Sequence, residues 1–148
     1  MAGVTLDYRI DNDQVMRALE ELNARGRDAQ PAFAAIGEDL DRSHRGRFDK
    51  QVSPAGNPWA ALSEEYRRRK PQRQDEILVL NGYLRDTLRY DAGPDFLQFG
   101  TDRVYGATHH FGDDERGIPE RPWLGLSPDD EAAAERTLLD FLNDALVN

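Results

Sequence analysis

The longest regular pattern in the sequence is an apolar stripe that predicts one long helix. The stripe repeats at spacings of three and four residues, at Phe33, Ile36, Leu40, His44 and Phe48. This is the spacing of one face of an α-helix, and Pro31 suits its first turn. The helix is predicted to extend to Val52. Its other face is charged, which is typical of a face in solvent, at Glu38, Asp39, Asp41, Arg42, Arg45 and Arg47.

Two further helices are predicted from the signals at their ends. Residues 11–13 supply N-cap chemistry, and Gly26 can end the helix in a left-handed cap. Between them lies a helical stripe of Val15, Leu19 and Leu22. Near the C-terminus Ser127 is an N-cap, Pro128 takes the first helical position and Asp130 completes a capping box.

The remaining regular patterns predict a small sheet. Residues 3–10 alternate between apolar and polar, the period of a half-buried strand. Residues 88–92 and 95–101 form a predicted hairpin around a Gly-Pro turn. Apolar groups on both faces of 95–101 predict a central strand that is covered on both sides. The predicted fold class is therefore α+β, with a small, mainly antiparallel sheet packed against the long helix and the C-terminal helix.

One apolar segment leaves two alternatives. Residues 77–80 form either a buried strand that turns at Asn81-Gly82, or a short helix that Asn81 caps and on which Leu84 and Leu88 share a face. We favour the helix, because the residues after Leu84 do not continue a period of two. Ser63, followed by Glu64 and Glu65, predicts the start of a short helix at 63–70. Two glycines and two prolines predict an irregular stretch at 112–122.

Length and composition restrict the class of protein. The 148 residues fit one domain, residues 1–148. The net charge of −9 argues against a general nucleic-acid coat. The absence of cysteine excludes disulfides, thiolate metal sites and a cysteine nucleophile. No apolar run approaches the roughly 20 residues of a membrane span, and no signal peptide is apparent. We expect a protein of the cytoplasm.

No catalytic constellation stands out. The adjacent pair His109 and His110 lacks the spacing of metal-binding pairs on a helix. We expect one ring to pack and the other to face solvent, with a metal ligand or an interfacial role as the alternatives. No serine lies in a nucleophile elbow, and no glycine loop for phosphates or dinucleotides is present. We therefore expect no enzyme activity, no catalytic or metal-binding residues and no cofactor.

One basic run interrupts this acidic chain, at Arg67, Arg68, Arg69, Lys70 and Arg73. A solvated helix face is one interpretation. Contact with DNA phosphates is another, with Tyr66 and Trp59 available to stack on bases. The third is contact with an acidic protein surface. Local positive charge on a negative chain suits head-to-tail self-association, which makes a ring when the rotation closes.

The most unusual stretch is residues 119–130. Arg121 lies between Pro119 and Pro122, which restrict the residues before them to extended conformations. Trp123 follows directly. The stretch is either a stiff arm that presents an arginine and a tryptophan, two residue types enriched at interface hot spots, or a segment whose tryptophan fills the core beside the last helix.

Four blocks of the sequence carry a family resemblance. They are Phe48-x-x-Gln51 with SPAGNPWAALS at 53–63, ILVLNGYLRDTL at 77–88, YGATHHFG at 105–112 and IPERPWLGLSPDD at 118–130. In this order they resemble the phage virion morphogenesis family, the tail-completion proteins of Mu-like and related contractile-tailed phages. The resemblance spans residues 33–146. The chain departs from the family pattern at Gly106, where alanine is common, at His110, which replaces glutamine, and at Trp123, which replaces phenylalanine.

The resemblance implies a non-enzymatic assembly protein. Such proteins act when the tail is finished and the head is joined, at the neck or the top of the tail. The implied working form is a homo-oligomeric ring around the DNA channel, with tail-tube and neck or head-completion proteins as partners, DNA passing through and no membrane. The protein would be made in the bacterial host cytoplasm and end in the virion.

The motif residues are interpreted as shape and as a candidate interface. The full set is Trp59, Gly82, Leu84, Tyr105, His109, Phe111, Gly112, Pro119, Arg121, Pro122 and Trp123. The glycines and prolines are expected at bends, and four aromatic residues are expected to fill the core, at Trp59, Tyr105, Phe111 and Trp123. We hypothesise that Arg121 fixes a loop through a carboxylate or carbonyl groups, or bridges to a neighbouring subunit.

Overall fold

The computed structural model describes residues 3–8, 13–69 and 83–147. Three strands and six α-helices follow one another along this part of the chain: β1 (Val4–Tyr8), α1 (Asp13–Ala24), α2 (Gln30–Lys50), α3 (Glu64–Arg69), α4 (Tyr83–Asp86), β2 (Arg89–Ala92), β3 (Leu97–Thr101), α5 (Val104–Phe111) and α6 (Pro128–Val147). A single 3₁₀ turn, Asp114–Arg116, lies between α5 and α6. The predicted α+β class is confirmed.

The sheet is antiparallel throughout and has the strand order β1-β3-β2. β3 is therefore central, as predicted, and Phe99 pairs with Leu6 on one side and Tyr90 on the other. The prediction that β3 is covered on both faces is wrong. The second face of the sheet is polar and partly open to solvent. Asp7, Arg89 and Asp91 on this face are exposed. The polar residues that share it are Thr5, Asp7, Arg89, Asp91 and Gln98.

Helix α2 lies against the inner face of the sheet, and all five residues of its predicted stripe are buried. Gly37 lets the Tyr90 ring of β2 pack directly on the backbone of α2, since a Cβ on this residue would lie 2.6 Å from atoms of that ring. The Tyr90 hydroxyl donates a hydrogen bond to Glu38 on the same helix (2.6 Å). The gap in the surface of α2 at Gly37, which we call the notch, therefore positions the hairpin of β2 and β3.

Helix α6 closes the other side of α2 and also packs on α1. Its inward residues, Ala134, Leu138, Leu142 and Ala145, are buried, and α1 contributes Val15 and Leu22 to the same core. Burial of a leucine-sized side chain stabilises the folded state by about 1.5–3 kcal/mol. This region is held together by apolar contact, as its helical periodicity predicts.

Two predicted helix ends are confirmed, the start of α6 and the end of α1. Of the residues predicted to cap the start of α1, residues 11 and 12 lie outside the described part of the chain, and Asp13 is the first residue of the helix. The backbone N–H of Asp130 donates to Ser127 Oγ and the N–H of Ser127 donates to Asp130 Oδ2, both at 3.0 Å, so the capping box of α6 is confirmed. Gly26 follows α1 with φ of 73°, the left-handed conformation expected there. α2 ends at Lys50, two residues before the predicted end, because Gln51 is left-handed (φ 60°).

The short helices predicted at 63–70 and after residue 80 border the part of the chain that the structure does not describe. The short predicted helix at 63–70 corresponds to α3. Residues 77–80, Asn81 and Gly82 lie outside the described residues, so the cap at Asn81 stays a prediction. A short helix is present as α4 and carries Leu84. Leu88 lies after its end rather than on it, and both leucines are buried. None of the described helices has the length and apolar character needed to cross a membrane.

Candidate functional site

Three of the four sequence blocks meet around residues 119–127, which we call the arm. The arm lies between helix α5 on one side and α2 on the other, and it contacts residues 53–61, which we call the proline loop. Its contacts are mainly hydrogen bonds to main-chain groups. The arm is neither a strand nor a helix, and these hydrogen bonds hold its backbone in place.

Arg121 joins the arm to the proline loop. Its side chain is buried (6% exposed). Nε donates to the Ala60 carbonyl (2.8 Å), and Nη2 donates to the Ala61 carbonyl (3.1 Å). The backbone N–H of Arg121 donates to the His109 carbonyl of α5 (2.8 Å). Of the contacts hypothesised for Arg121, the structure shows those to carbonyl groups.

The two tryptophans join the arm to its neighbours: Trp59 binds it from the proline loop, and Trp123 binds α5 from within the arm. Trp59 is buried and its indole N–H donates to the Pro122 carbonyl (2.7 Å). Trp123 is fully buried, and its indole N–H donates to the Gly106 carbonyl on α5 (2.9 Å). Both rings flank Phe48 of α2, with ring-centroid distances of 5.5 and 6.0 Å. The prediction that Trp59 and Trp123 fill the core is confirmed, and the alternative of an arm that presents Arg121 and Trp123 to solvent is wrong.

Two histidines accept three consecutive amides of the arm. His110 Nδ1 accepts from the N–H groups of Trp123 and Leu124, at 3.3 Å each. His44 Nδ1 donates to the Leu40 carbonyl (2.7 Å), so its Nε2 is free to accept from the N–H of Gly125 (3.2 Å). Both acceptor nitrogens must be unprotonated for these bonds to form.

The surroundings favour the neutral form of these rings. Burial, with the nearby charge of Arg47, lowers the pKa of His44 from 6.5 to about 3. Burial also lowers the pKa of His110. The pKa of His109 is lowered by burial and then by the charges of Arg121 and Arg116. Desolvation disfavours the charged form of an imidazole, so all three are neutral at pH 7.

Arg47 is a second buried arginine at the arm. Nη1 donates to the carbonyls of Trp123 (3.1 Å) and Gly125 (2.8 Å), while Nη2 pairs with the Asp130 carboxylate. Burial lowers the pKa of Arg47, and the Asp130 charge opposes that shift. The prediction that Arg47 lies on a solvated face is wrong: its charge is matched by the cap residue of α6 and by arm carbonyls.

Two glycines make room for the arm. A Cβ on Gly112 would lie 2.8 Å from the Glu120 backbone nitrogen, and its φ of 78° is left-handed. A Cβ on Gly106 would lie 2.5 Å from Thr101 Cγ2 and 3.4 Å from Trp123 Cζ2. The interpretation of the motif glycines as shape therefore fits both positions, while Gly82 lies outside the described residues.

The three departures from the family pattern form one cluster. Trp123 donates to the Gly106 carbonyl, its backbone N–H donates to His110, and the His110 and Trp123 rings lie 6.2 Å apart, edge to face. Thr101, rather than the Trp123 ring, is what leaves no room for a Cβ at 106.

Helix α5 was not predicted, and it changes the account of the histidine pair. Both His109 and His110 are partly buried, so the expectation that one packs and the other faces solvent is wrong. His109 Nδ1 is buried and has no hydrogen-bond partner among the described residues.

Tyr105 and Phe111 were expected in the core, but both are exposed, because the inward side of α5 is occupied by Gly106 and His110.

The basic run and the other motif residues lie at different places. Arg68 and Arg69 are exposed on α3, and Arg68 forms an ion pair with Glu64 (3.3 Å). Lys70 and Arg73 lie outside the described residues, as does the side chain of Arg67. Pro119 is exposed and Leu84 is buried beside Gly106. Within the described ranges no three histidine, aspartate or glutamate side chains are grouped to hold a metal ion.

Comparison with known proteins gives one family. The profile of the phage virion morphogenesis family matches residues 10–143. Similar curated proteins include "Putative capsid assembly protein G" of Escherichia phage Mu, 30% identical over 138 residues (84% of this chain and 85% of the relative). "Mu-like prophage FluMu G protein 1" of Haemophilus influenzae is 26% identical over 128 residues (84% and 86%). No solved structure gives a significant match.

Proposed function

Because the chain belongs to the phage virion morphogenesis family, we propose that it is a structural protein that completes the phage tail and joins it to the head. In this proposal it acts at the neck or the top of the tail, as a ring of copies around the DNA channel. Its partners are tail-tube and neck or head-completion proteins. It is made in the bacterial cytoplasm and leaves in the virion.

One observation supports a structural role above others: three motif side chains, together with His110, bond the protein's own main chain. The guanidinium of Arg121, the indole N–H groups of Trp59 and Trp123, and the imidazole of His110 all bind backbone groups of the arm, the proline loop or α5. A catalytic group needs access to a substrate. These side chains instead maintain the shape of a surface, which is what an assembly protein must present.

The test uses a phage or prophage that carries this gene. A stop codon in the gene is expected to leave filled heads and tails unjoined, or tails of abnormal length, in electron micrographs of the lysate, and a plasmid copy is expected to restore joined particles. Mass spectrometry of purified virions should detect the protein. Normal virions without the gene product, at normal yield, would overturn the proposal.

A variant tests whether the motif serves as shape. Arg121→Ala removes the two bonds to the Ala60 and Ala61 carbonyls, and we expect fewer joined particles from a chain that still folds by circular dichroism. Arg45→Ala is the control, because Arg45 is a partly exposed arginine of α2 whose ion pairs are with Asp41 and Asp86. An Arg121→Ala chain that folds and completes particles at normal yield would contradict this interpretation.

The alternative function is DNA binding through the basic segment 66–73. The observation in its favour is that Arg68 and Arg69 are both exposed on α3. Binding through phosphate contacts would weaken steeply as the salt concentration rises, and Arg68→Glu with Arg69→Glu would abolish it. The net charge of −9 opposes such binding, so we expect no retardation of double-stranded DNA in a gel-shift titration at physiological salt.

A further inference from the structure

Helix α5 has its polar and apolar sides reversed relative to an ordinary surface helix. Its inward side carries Gly106 and His110, which bind the arm. Its outward side carries Val104 and, two turns later, Phe111, which are 61% and 66% exposed. Tyr105 is also exposed. A surface helix normally buries its apolar side, and a cluster of exposed apolar side chains marks an interaction surface.

The rim of this apolar surface is acidic at its Phe111 end, whereas the exposed Arg103 lies beside Val104 at the other end. Phe111 is followed by Asp114 and Glu115 in the 3₁₀ turn, and Glu120 lies where the arm begins. All three side chains are exposed and form no ion pair among the residues described. The guanidinium of Arg116 is already bonded to Asp113 (2.7 Å). The surface therefore suits a partner with an apolar centre and a basic rim.

The same chain carries a surface with that combination. Pro58, Ala60 and Ala61 of the proline loop are exposed and apolar, and α3 follows them with the exposed arginines Arg68 and Arg69. Arg68 also pairs with the exposed Glu64 of the same helix (3.3 Å), a surface pair that a partner's carboxylates would have to compete with. Small residues on this surface leave room for the large side chains of the other. Averaged over its surface, a chain of net charge −9 would repel the acidic rim beside Phe111, whereas the arginines of α3 attract it. Charge and side-chain size thus favour a second copy of this chain as the occupant.

Arg121 holds the two surfaces in a fixed relation. Its N–H bonds the His109 carbonyl of α5, and its guanidinium bonds the carbonyls of Ala60 and Ala61. The proline loop and α5 therefore belong to one rigid block. Preorganised surfaces associate at a lower entropic cost than mobile ones.

We propose that α5 and the 3₁₀ turn of one copy dock on residues 58–69 of a second copy. Phe111 and Val104 contact Pro58, Ala60 and Ala61, and the carboxylates of Asp114, Glu115 and Glu120 face Arg68 and Arg69. The inference rests on the proposed function, because a ring needs contacts between copies, and it names the surfaces that make them.

The first test is sedimentation of the purified full-length chain over a wide range of concentration. Phe111→Asp is expected to weaken self-association about tenfold or more, the effect of losing a hot-spot aromatic. Met16→Asp on α1 is the matched control, since Met16 is 49% exposed, and it should associate like the unmodified chain. A chain that stays monomeric at every concentration, or a Phe111→Asp variant that behaves like the control, would overturn the proposal.

Charge reversal tests the pairing of the two rims. One variant carries Asp114→Arg, Glu115→Arg and Glu120→Arg, and the other carries Arg68→Glu and Arg69→Glu. Each alone should associate weakly, and an equimolar mixture should regain association, because the reversed rims are again opposite in sign. A mixture no stronger than its components contradicts the pairing. Circular dichroism of each variant confirms that it folds.

Particle yield separates this inference from the proposed function. If Phe111→Asp loses both self-association and joined particles, both hold. If it associates normally but particles are lost, α5 docks on a different protein and the inference fails while the proposed function stands. If the stop codon leaves virions normal, the proposed function fails, whatever the sedimentation result.

Discussion

The two ends of helix α2 are held by different kinds of interaction. Toward its N-terminus Phe33, Ile36 and Leu40 are buried among apolar groups. Toward its C-terminus His44 and Arg47 are buried just as deeply, but they bind carbonyl and amide groups of the arm. At these three positions we expect apolar substitutions of about the same volume to cost little. The second depends on individual hydrogen bonds, each of which leaves a buried group unsatisfied when removed.

The largest expected difference between the two regions comes from Arg47. Arg47→Met keeps much of the side-chain volume, but it leaves the Asp130 carboxylate without its ion-pair partner, with the Ser127 N–H as its remaining donor. It also removes the guanidinium donor from the Trp123 and Gly125 carbonyls. We expect the free energy of unfolding to fall by about 3–5 kcal/mol, measured by urea denaturation. Arg42→Met on the exposed side of the same helix should cost less than about 0.5 kcal/mol. Equal costs for the two variants would mean that the arm end of α2 is held no differently from its surface.

The pH dependence of stability should come from the arm end. The unfolded chain protonates His44 near pH 6.5, whereas the folded chain does so only near pH 3, because its pKa is lowered to about 3. The unfolded state binds more protons between these values, so stability falls as the pH is lowered through this window. From pH 7 to pH 5 the loss from His44 is about 2 kcal/mol, and His110 and His109 add to it in the same direction.

His44→Gln isolates this contribution, because the glutamine oxygen can still accept from the Gly125 amide while the group no longer titrates. Denaturation midpoints measured from pH 7 to pH 5 should fall less steeply in this variant. If stability depends on pH as steeply in His44→Gln as in the unmodified chain, protonation of His44 is not what destabilises the arm end of α2.

A smaller effect is expected at the contact between α5 and the sheet. Gly106→Ala places a Cβ 2.5 Å from Thr101 Cγ2, and overpacking of this kind costs about 1–3 kcal/mol. Alanine regains about 1 kcal/mol of helix propensity, so the net loss is about 1 kcal/mol. In a Thr101→Ser background the methyl group is gone and Gly106→Ala should be neutral or stabilising. A double-mutant cycle with urea checks this, and a cost that does not depend on residue 101 would contradict it.

The smallest effect is expected where a polar contact is exposed. Tyr90→Phe removes the bond to Glu38 but keeps the ring on Gly37, and we expect a loss of less than about 1 kcal/mol. Glu38 raises the pKa of Tyr90 by its hydrogen bond, so the absorbance titration of tyrosine should lose one transition that lies above the ordinary tyrosine pKa in this variant. A loss as large as that of Arg47→Met would erase the distinction between buried and exposed polar contacts.

The same contrast explains how much of the fold could be predicted. Strand β1, the hairpin of β2 and β3, and helices α1, α2 and α6 follow patterns in which apolar residues face the core, and Ser127 and Asp130 form a cap whose chemistry is local. These features depend on residues close in sequence. The covered second face of β3 was not found, because it was inferred from Phe96, which lies outside the strand and is exposed.

The arm region could be predicted only in part. The tryptophans and Arg121 were singled out by their unusual setting, but whether they faced outward depended on partners far along the chain, such as Ala60 for Arg121. Arg47 was assigned to solvent on its charge alone, although it lies one helical turn after His44, which belongs to the buried stripe. Helix α5 was missed because its histidines point inward and Phe111 points outward, the reverse of the usual periodic signal.

The notch that Gly37 makes in α2 has an evolutionary corollary. Any side chain at this position would displace the Tyr90 ring, and with it the hairpin that follows, so the two sites cannot mutate independently. Among relatives that have lost the glycine, we expect a smaller residue in place of the tyrosine, and a sequence alignment would show the two columns changing together.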